Sequence, residues 1–106
     1  MPKYLVEAKY TPEGMKGVLA KGGTARREAV EKMLADVGGT VESFYFAFGD
    51  SDAIVTVNVP DSITAAAIGM LVGASGLTSC SMTVLLTPEE IDRAAEVKAT
   101  YRPPGS

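Results

Sequence analysis

The chain has 106 residues, of which 10 are basic and 13 acidic, so its formal net charge is −3. This length suits one domain and is too short for two. The acidic balance argues against a nucleic-acid partner, because such proteins usually carry a basic face. Because no apolar run reaches the ~18 residues that a membrane span needs, we expect a soluble, cytoplasmic protein that binds neither nucleic acid nor membrane.

The residue types that most often support catalysis or metal binding are scarce. Histidine is absent and Cys80 is the single cysteine. The usual zinc and haem ligands and a Ser-His-Asp triad are therefore missing, and we expect neither a cofactor nor a metal site. Cys80 alternates with Met82 and Val84, which is typical of a small core residue.

The first third of the chain predicts a strand followed by helix. Residues 3–10 alternate in the way of a half-buried strand. Thr11 and Pro12 form a helix-start signal, and a firmer helix begins near Thr24 and ends at the next pair of glycines, Gly38 and Gly39. The segment Lys21–Thr24 has the glycines of an anion cradle but lacks a full phosphate-loop pattern, so it is interpreted as a break between helices.

The middle of the chain predicts a β-hairpin. Strand-like runs over 40–48 and 53–59 flank the turn Gly49-Asp50-Ser51-Asp52. Turn chemistry is enough to explain these residue types: Gly49 supplies a positive φ, and Asp52 bonds to the turn backbone. The alternative is that Asp50 and Asp52 bind a ligand or a hard cation.

The last third predicts helix, strand and helix, over about 62–75, 78–86 and 87–98. The first of these helices is apolar nearly all round, which is typical of burial on more than one side. Residues 1–98 are thus expected to form a single domain, and residues 99–106 a C-terminal tail. The element order, strand-helix-strand-strand-helix-strand, predicts an α+β fold with both helices on one face of a sheet and an extra C-terminal helix.

Alternation along the strands divides the residues between two sheet faces. The uniformly apolar set in the third strand, from Ala53 to Val59, should meet the helices. The other face then carries Leu5, Glu7, Lys9, Ile54, Thr56, Asn58, Ser81 and Thr83. Short polar groups of this kind suit a cavity covered by another subunit. Phe44 and Phe46 fall on this second face if the hairpin loop has three residues, and on the helix face if it has two or four.

Glu7 and Lys9 are the best candidates for acid/base chemistry, because burial in a cavity would shift their pKa values. The simpler interpretation is an ion pair on the sheet. Thr56, Asn58, Ser81 and Thr83 would orient a ligand, and Tyr45 would stack on it or bond to it. Tyrosine in a strand is equally explained by core or interface packing.

Several segments together resemble one known family. They are the opening Met1 to Val6, Lys9 to Gly14, Gly38-Gly39, Phe44 to Phe46, the Gly-x-x-Asp turn from Gly49 to Asp52, Val59 to Asp61 and Thr87 to Glu90. The chain is similar to GYD-domain proteins over nearly its whole length. Ser51 stands where the family motif has tyrosine, so no role of that tyrosine transfers to this chain.

The resemblance implies a ferredoxin-like βαββαβ fold with a four-stranded antiparallel sheet, assembled as a dimeric α/β barrel in which two sheets enclose a cavity. It implies homo-oligomers, mostly from bacteria and archaea, and no single activity. Our leading hypothesis is that the protein forms a homo-oligomer and binds a small molecule in a polar cavity between the sheets of paired subunits. The alternatives are a cofactor-free enzyme of the monooxygenase or isomerase kind that uses Glu7 and Lys9, and a structural assembly module.

Overall fold

We describe the protein from a computed structural model that covers residues 1–106. Eight elements follow one another along the chain. They are β1 (Lys3–Tyr10), α1 (Pro12–Lys21), α2 (Gly23–Asp36), β2 (Thr40–Phe46), β3 (Ala53–Asn58), α3 (Ser62–Ala74), β4 (Thr78–Leu85) and α4 (Pro88–Ala95). The predicted order of strands and helices is confirmed, and most predicted ends lie within two residues of the observed ones.

The four strands form one open antiparallel sheet in the order β2-β3-β1-β4. β1 lies in the centre, where it pairs with β3 on one side and with β4 on the other. This is the ferredoxin-like α+β arrangement, so the predicted fold class is confirmed for the single chain. The connections through α1–α2 and α3 place all three helices against the same sheet face.

The core lies between this face and the helices. Most of its buried side chains come from the centre of the sheet. One comes from α2 and two come from α3. The full set is Tyr4, Leu34, Val55, Val57, Val59, Ala65 and Ile68. Cys80 and Met82 of β4 also face the helices and are only partly buried. Only 11 of the 106 residues are buried, so the core is small for a chain of this length.

Phe44 and Phe46 lie on the helix face, because they pair with Val55 and Ala53 and directly opposite residues share a face. β2 ends at Phe46 rather than at the predicted residue 48, and the loop to β3 spans the six residues 47–52. A β-bulge between Val41 and Ser43 shifts the register. The bulge lets Val41 face the helices as well, although it lies an odd number of residues from Phe44.

Helix ends follow the capping signals in the sequence. The Thr11, Asp61 and Thr87 side chains each accept a backbone N–H bond at a helix start. α1 and α2 are separated at Gly22, which adopts a φ of 86° that only glycine reaches without strain. The backbone N–H groups that bond to Asp61 and Glu90 lower the pKa of both carboxyls, because these bonds favour the charged form.

α4 stands apart from the core. It has a Thr87–Glu90 capping box, but none of its residues is buried. Ile91, Val97 and Tyr101 remain largely exposed, and residues 99–106 belong to no helix or strand. None of the helices has both the length and the apolar character that would let it span a bilayer.

Gly14 permits a close approach between α1 and the start of β4. The Leu77 carbonyl accepts the Thr11 N–H at 2.9 Å and the Thr11 hydroxyl at 3.2 Å, and a Cβ added at Gly14 would collide with that carbonyl oxygen. We expect Gly14→Ala to lower the free energy of unfolding by about 1–3 kcal/mol. Gly17, in the same helix, has open space in the direction that a Cβ would occupy, so Gly17→Ala should raise it by about 0.5–1 kcal/mol. Urea denaturation measures both, and equal effects would contradict this packing.

The N-cap of α3 predicts a pH dependence. The folded-state pKa of Asp61 lies below its ordinary value of 3.8, so its contribution to stability is present above that value and is lost as the pH falls through the folded pKa. Asp61→Ala should therefore destabilise the protein at pH 7 and much less at pH 2.5. Ser62→Ala, next to the cap, is the control in urea denaturation. An equal loss from Asp61→Ala at both pH values would exclude the charge as the cause.

Candidate functional site

The second face of the sheet is uncovered, and the predicted site residues lie on it. Register settles the face of each one: Glu7 pairs with Ser81 and Ile54, and Leu5 pairs with Thr56 and Thr83. Asn58 and Tyr45 belong to the same face through their own pairs, which are Lys3–Asn58 and Tyr45–Ile54. We call this surface the open face.

One part of the open face forms a shallow polar depression of about 340 Å³. It lies where β1 and β4 run beside the loop between β2 and β3. Its lining is one ammonium group, the acidic residues of strand and loop, and several short polar side chains: Glu7, Lys9, Asp50, Ser51, Ser79, Cys80 and Ser81. The depression therefore brings together three of the predicted site residues, Glu7, Lys9 and Ser81.

The two charged strand residues of the depression, Glu7 and Lys9, both form hydrogen bonds with the loop 47–52. The Ser51 hydroxyl donates to Glu7 Oε2 at 3.3 Å, and Lys9 Nζ donates to the backbone carbonyl of Asp50 at 2.8 Å. Glu7 and Lys9 do not pair with each other, since the ion pairs of the chain are Lys3–Glu42, Lys16–Glu13 and Arg27–Glu31. The expected ion pair was wrong because each side chain finds a loop partner instead.

The remaining predicted residues lie elsewhere on the open face. Thr56 and Thr83 flank Leu5, towards the opposite end of the strands. The Asn58 amide lies 3.5 Å from the Thr40 hydroxyl at that same end. Tyr45 is on the edge strand β2 and is 70% exposed. Within one chain the predicted set thus divides into two groups rather than one pocket.

Two hydrogen bonds of Asp52 connect the hairpin loop to the central strand β1. Its carboxylate accepts the Tyr10 backbone N–H at 2.9 Å, and its own N–H donates to the Ala8 carbonyl at 2.8 Å. The predicted side-chain bond therefore reaches β1 rather than the turn itself. Gly49 is not among the glycines with positive φ, so that part of the turn prediction was wrong.

Sequence patterns missed two residues of the depression, Ser51 and Ser79. Ser79 alternates with Ser81 along β4, and this spacing was sufficient to place both on one face. Ser51 carried no such signal, because loop residues have no fixed period. Cys80 also borders the depression, although its side chain faces the helices. Partial burial raises the pKa of the Cys80 thiol, which disfavours the reactive thiolate.

The acidic residues of the site do not form a metal-binding cluster. No group of three or more His, Cys, Asp and Glu side chains is placed to hold an ion. Asp50 and Asp52 are neighbours in sequence, but Asp52 is committed to the Tyr10 N–H. The side chains that line the depression, Glu7, Lys9 and the serine hydroxyls, can donate and accept hydrogen bonds.

Comparison with known proteins identifies the family. A family model described as GYD domain matches residues 4–95. The chain belongs to the GYD-domain family. The matched range extends from the start of β1 to the end of α4, so it includes the sheet, the loop 47–52 and the polar depression. No curated protein and no solved structure shows a significant match to the chain.

In this GYD domain, Ser51 occupies the position where the family motif has tyrosine, and its hydroxyl reaches Glu7. Asp52, the last residue of the same motif, makes the bond to β1. The motif thus contributes to the site in two ways. Asp52 positions the loop, and the residue before it contacts the carboxylate.

The Asp52 bond to β1 gives a matched pair of variants. Asp52→Ala removes the acceptor of a partly buried N–H, so we expect the free energy of unfolding to fall by about 1–3 kcal/mol. Asp50→Ala should change it by less than about 0.5 kcal/mol, because the Asp50 side chain makes no hydrogen bond and only its backbone carbonyl serves Lys9. Urea denaturation of both variants tests this. A loss of similar size in the two would argue against a specific role of Asp52.

Proposed function

We propose that this GYD domain forms a homo-oligomer through the open face, as a dimeric α/β barrel, and binds a small polar molecule between the paired sheets. The observation that carries the proposal is that the open face has no covering layer within the chain. It combines apolar residues such as Leu5 and Ile54 with a polar depression around Glu7 and Lys9. A partner sheet would cover the apolar residues and enclose the polar depression.

The amount of burial supports association. Few residues of the isolated chain are buried, and Tyr45 and Ile54 of the open face are 70% and 37% exposed. A partner sheet would remove these side chains from water, which favours association.

The lining of the depression indicates the class of ligand. Glu7 accepts hydrogen bonds, Lys9 donates them, and the hydroxyls of Ser51, Ser79 and Ser81 do both. A ligand that matches these groups has its own donors and acceptors and little apolar surface. Enclosure by a second sheet would exclude water and strengthen each of these bonds.

The geometry supports a binding role better than an acid/base enzyme. Glu7 and Lys9 both have hydrogen-bond partners in the loop 47–52. These bonds hold both side chains in fixed positions, which suits the recognition of a ligand. A purely structural module would be expected to fill the open face with large side chains, whereas Phe44 and Phe46 lie on the other face.

Native mass spectrometry of the purified protein tests both parts of this proposal. We expect an oligomer that carries a small extra mass, which denaturation releases. Ile54→Lys should give monomers, because it places a charge in the centre of the interface. Ile63→Lys is the matched control, because Ile63 is 80% exposed on α3, on the opposite side of the molecule. A wild-type monomer, or an oligomer that Ile54→Lys leaves intact, would overturn the proposed assembly.

The ligand part is tested by the double variant Glu7→Gln, Lys9→Met. It should remain oligomeric and lose the released mass, because both charged contacts are gone. The control is Arg27→Met, Glu31→Gln, which removes an exposed pair on α2. If the Glu7 and Lys9 variant retains the full adduct, the ligand does not bind in the polar depression.

A further inference from the structure

Arg26 is placed where an apolar residue would be expected. It precedes Val30 and Met33 on α2, and Val37 at the C-cap of this helix, at helical spacing, and these three side chains pack against the core. Arg26 thus points its side chain towards the sheet, and its guanidinium carbon lies 5.7 Å from the centre of the Tyr10 ring. This contact satisfies the charge only in part.

The Arg26 guanidinium has no hydrogen-bond acceptor. Its Nε is buried without a partner, and it is the single buried side-chain nitrogen or oxygen in this condition. Arg26 takes part in none of the three ion pairs of the chain, whereas its neighbour Arg27 pairs with Glu31 at 3.8 Å. A buried donor without an acceptor costs free energy. The Nη groups of Arg26 also have no acceptor within the chain and are not among the buried atoms, so they can donate to an anion from outside the chain.

Three depressions meet at Arg26. One lies between α1, α2 and the start of β4 and measures about 290 Å³, the second is an apolar space of about 50 Å³ above the sheet, and the third is a groove of about 230 Å³. Arg26 and Thr78 line all three. The groove separates α2 from α3, and its walls are mainly apolar, with Val30, Met33 and Val72 among them.

We propose that this groove, hereafter the α2–α3 groove, binds a small carboxylic acid whose carboxylate accepts hydrogen bonds from Arg26 and whose apolar body lies between the two helices. A guanidinium matches a carboxylate in planar, bidentate geometry. The apolar walls favour a ligand with one charged end rather than a multiply charged phosphate. This site lies on the helix side of the sheet and is independent of the proposed oligomer on the open face.

The size of the groove limits the ligand. A cavity of about 150 Å³ holds a benzene ring, so 230 Å³ accommodates a ring or short alkyl chain together with its carboxylate. That corresponds to about ten non-hydrogen atoms. 3-Phenylpropanoate has this size and charge, and 3-phenyl-1-propanol offers the same body without the charge.

Isothermal titration calorimetry with these two compounds tests the proposal. The wild-type protein should bind 3-phenylpropanoate with a dissociation constant near or below about 1 mM, and at least fivefold more tightly than the alcohol. Arg26→Met should weaken binding of the acid by about tenfold, as expected for loss of a charged hydrogen bond, and change binding of the alcohol little. Arg27→Met is the matched control and should bind both compounds as the wild type does.

The stability of the free protein provides a second readout. Arg26→Met removes a buried donor without a partner and inserts an apolar side chain into an apolar stripe, so the melting temperature without ligand should rise by about 4 °C. Absence of wild-type binding, or equal binding of acid and alcohol, would overturn the proposal. It would also be overturned if the melting temperature depended on protein concentration in the wild type but not in Arg26→Met, because the partner of Arg26 would then be a second copy of the chain.

Discussion

The four-stranded sheet is covered by α1, α2 and α3 on one face, and the chain has no further layer for the other. Both faces of a sheet that carries apolar side chains need cover, and one small layer of helices provides it for only one of them. The small number of buried residues follows from this limit. For the same reason, Leu5 and Ile54 lie among polar groups on the open face, where no layer of the chain covers them.

The strands and their faces were predictable, because a period of two distributes residues in a fixed way. Alternation alone placed Glu7, Thr56 and Ser81 on the open face, as the register confirms. It could not place Phe44 and Phe46, whose face depends on the length of the hairpin loop, or Val41, whose face depends on the bulge between Val41 and Ser43. A bulge adds one residue without changing composition, so single-sequence patterns contain little trace of it.

The arrangement of the candidate site was less predictable than its face, because it depends on contacts between residues distant in sequence. The motif Gly49 to Asp52 indicated a turn, but not that Asp52 would bond to β1 or that Ser51 would meet Glu7. Arg26 is a different case, since its position in the apolar stripe of α2 was visible in the sequence. A charged residue at a core-facing position is rare unless it is paired, so this spacing is a signal that the sequence analysis did not use.

The two candidate sites lie on opposite faces of β4. Along β4, Thr78 lines the α2–α3 groove, while Ser79 and Ser81 line the polar depression. The two sites differ in chemistry because the helices pack over one face of the sheet and leave the other face open. The helix side offers apolar walls, so the Arg26 guanidinium would dominate recognition of the ligand proposed there. The open face offers hydroxyls, a carboxylate and an ammonium group, which become selective only when a second sheet excludes water. Alternation along β4 thus separates a polar from an apolar surface, and the two proposed ligands would differ in class because each would meet one of these surfaces.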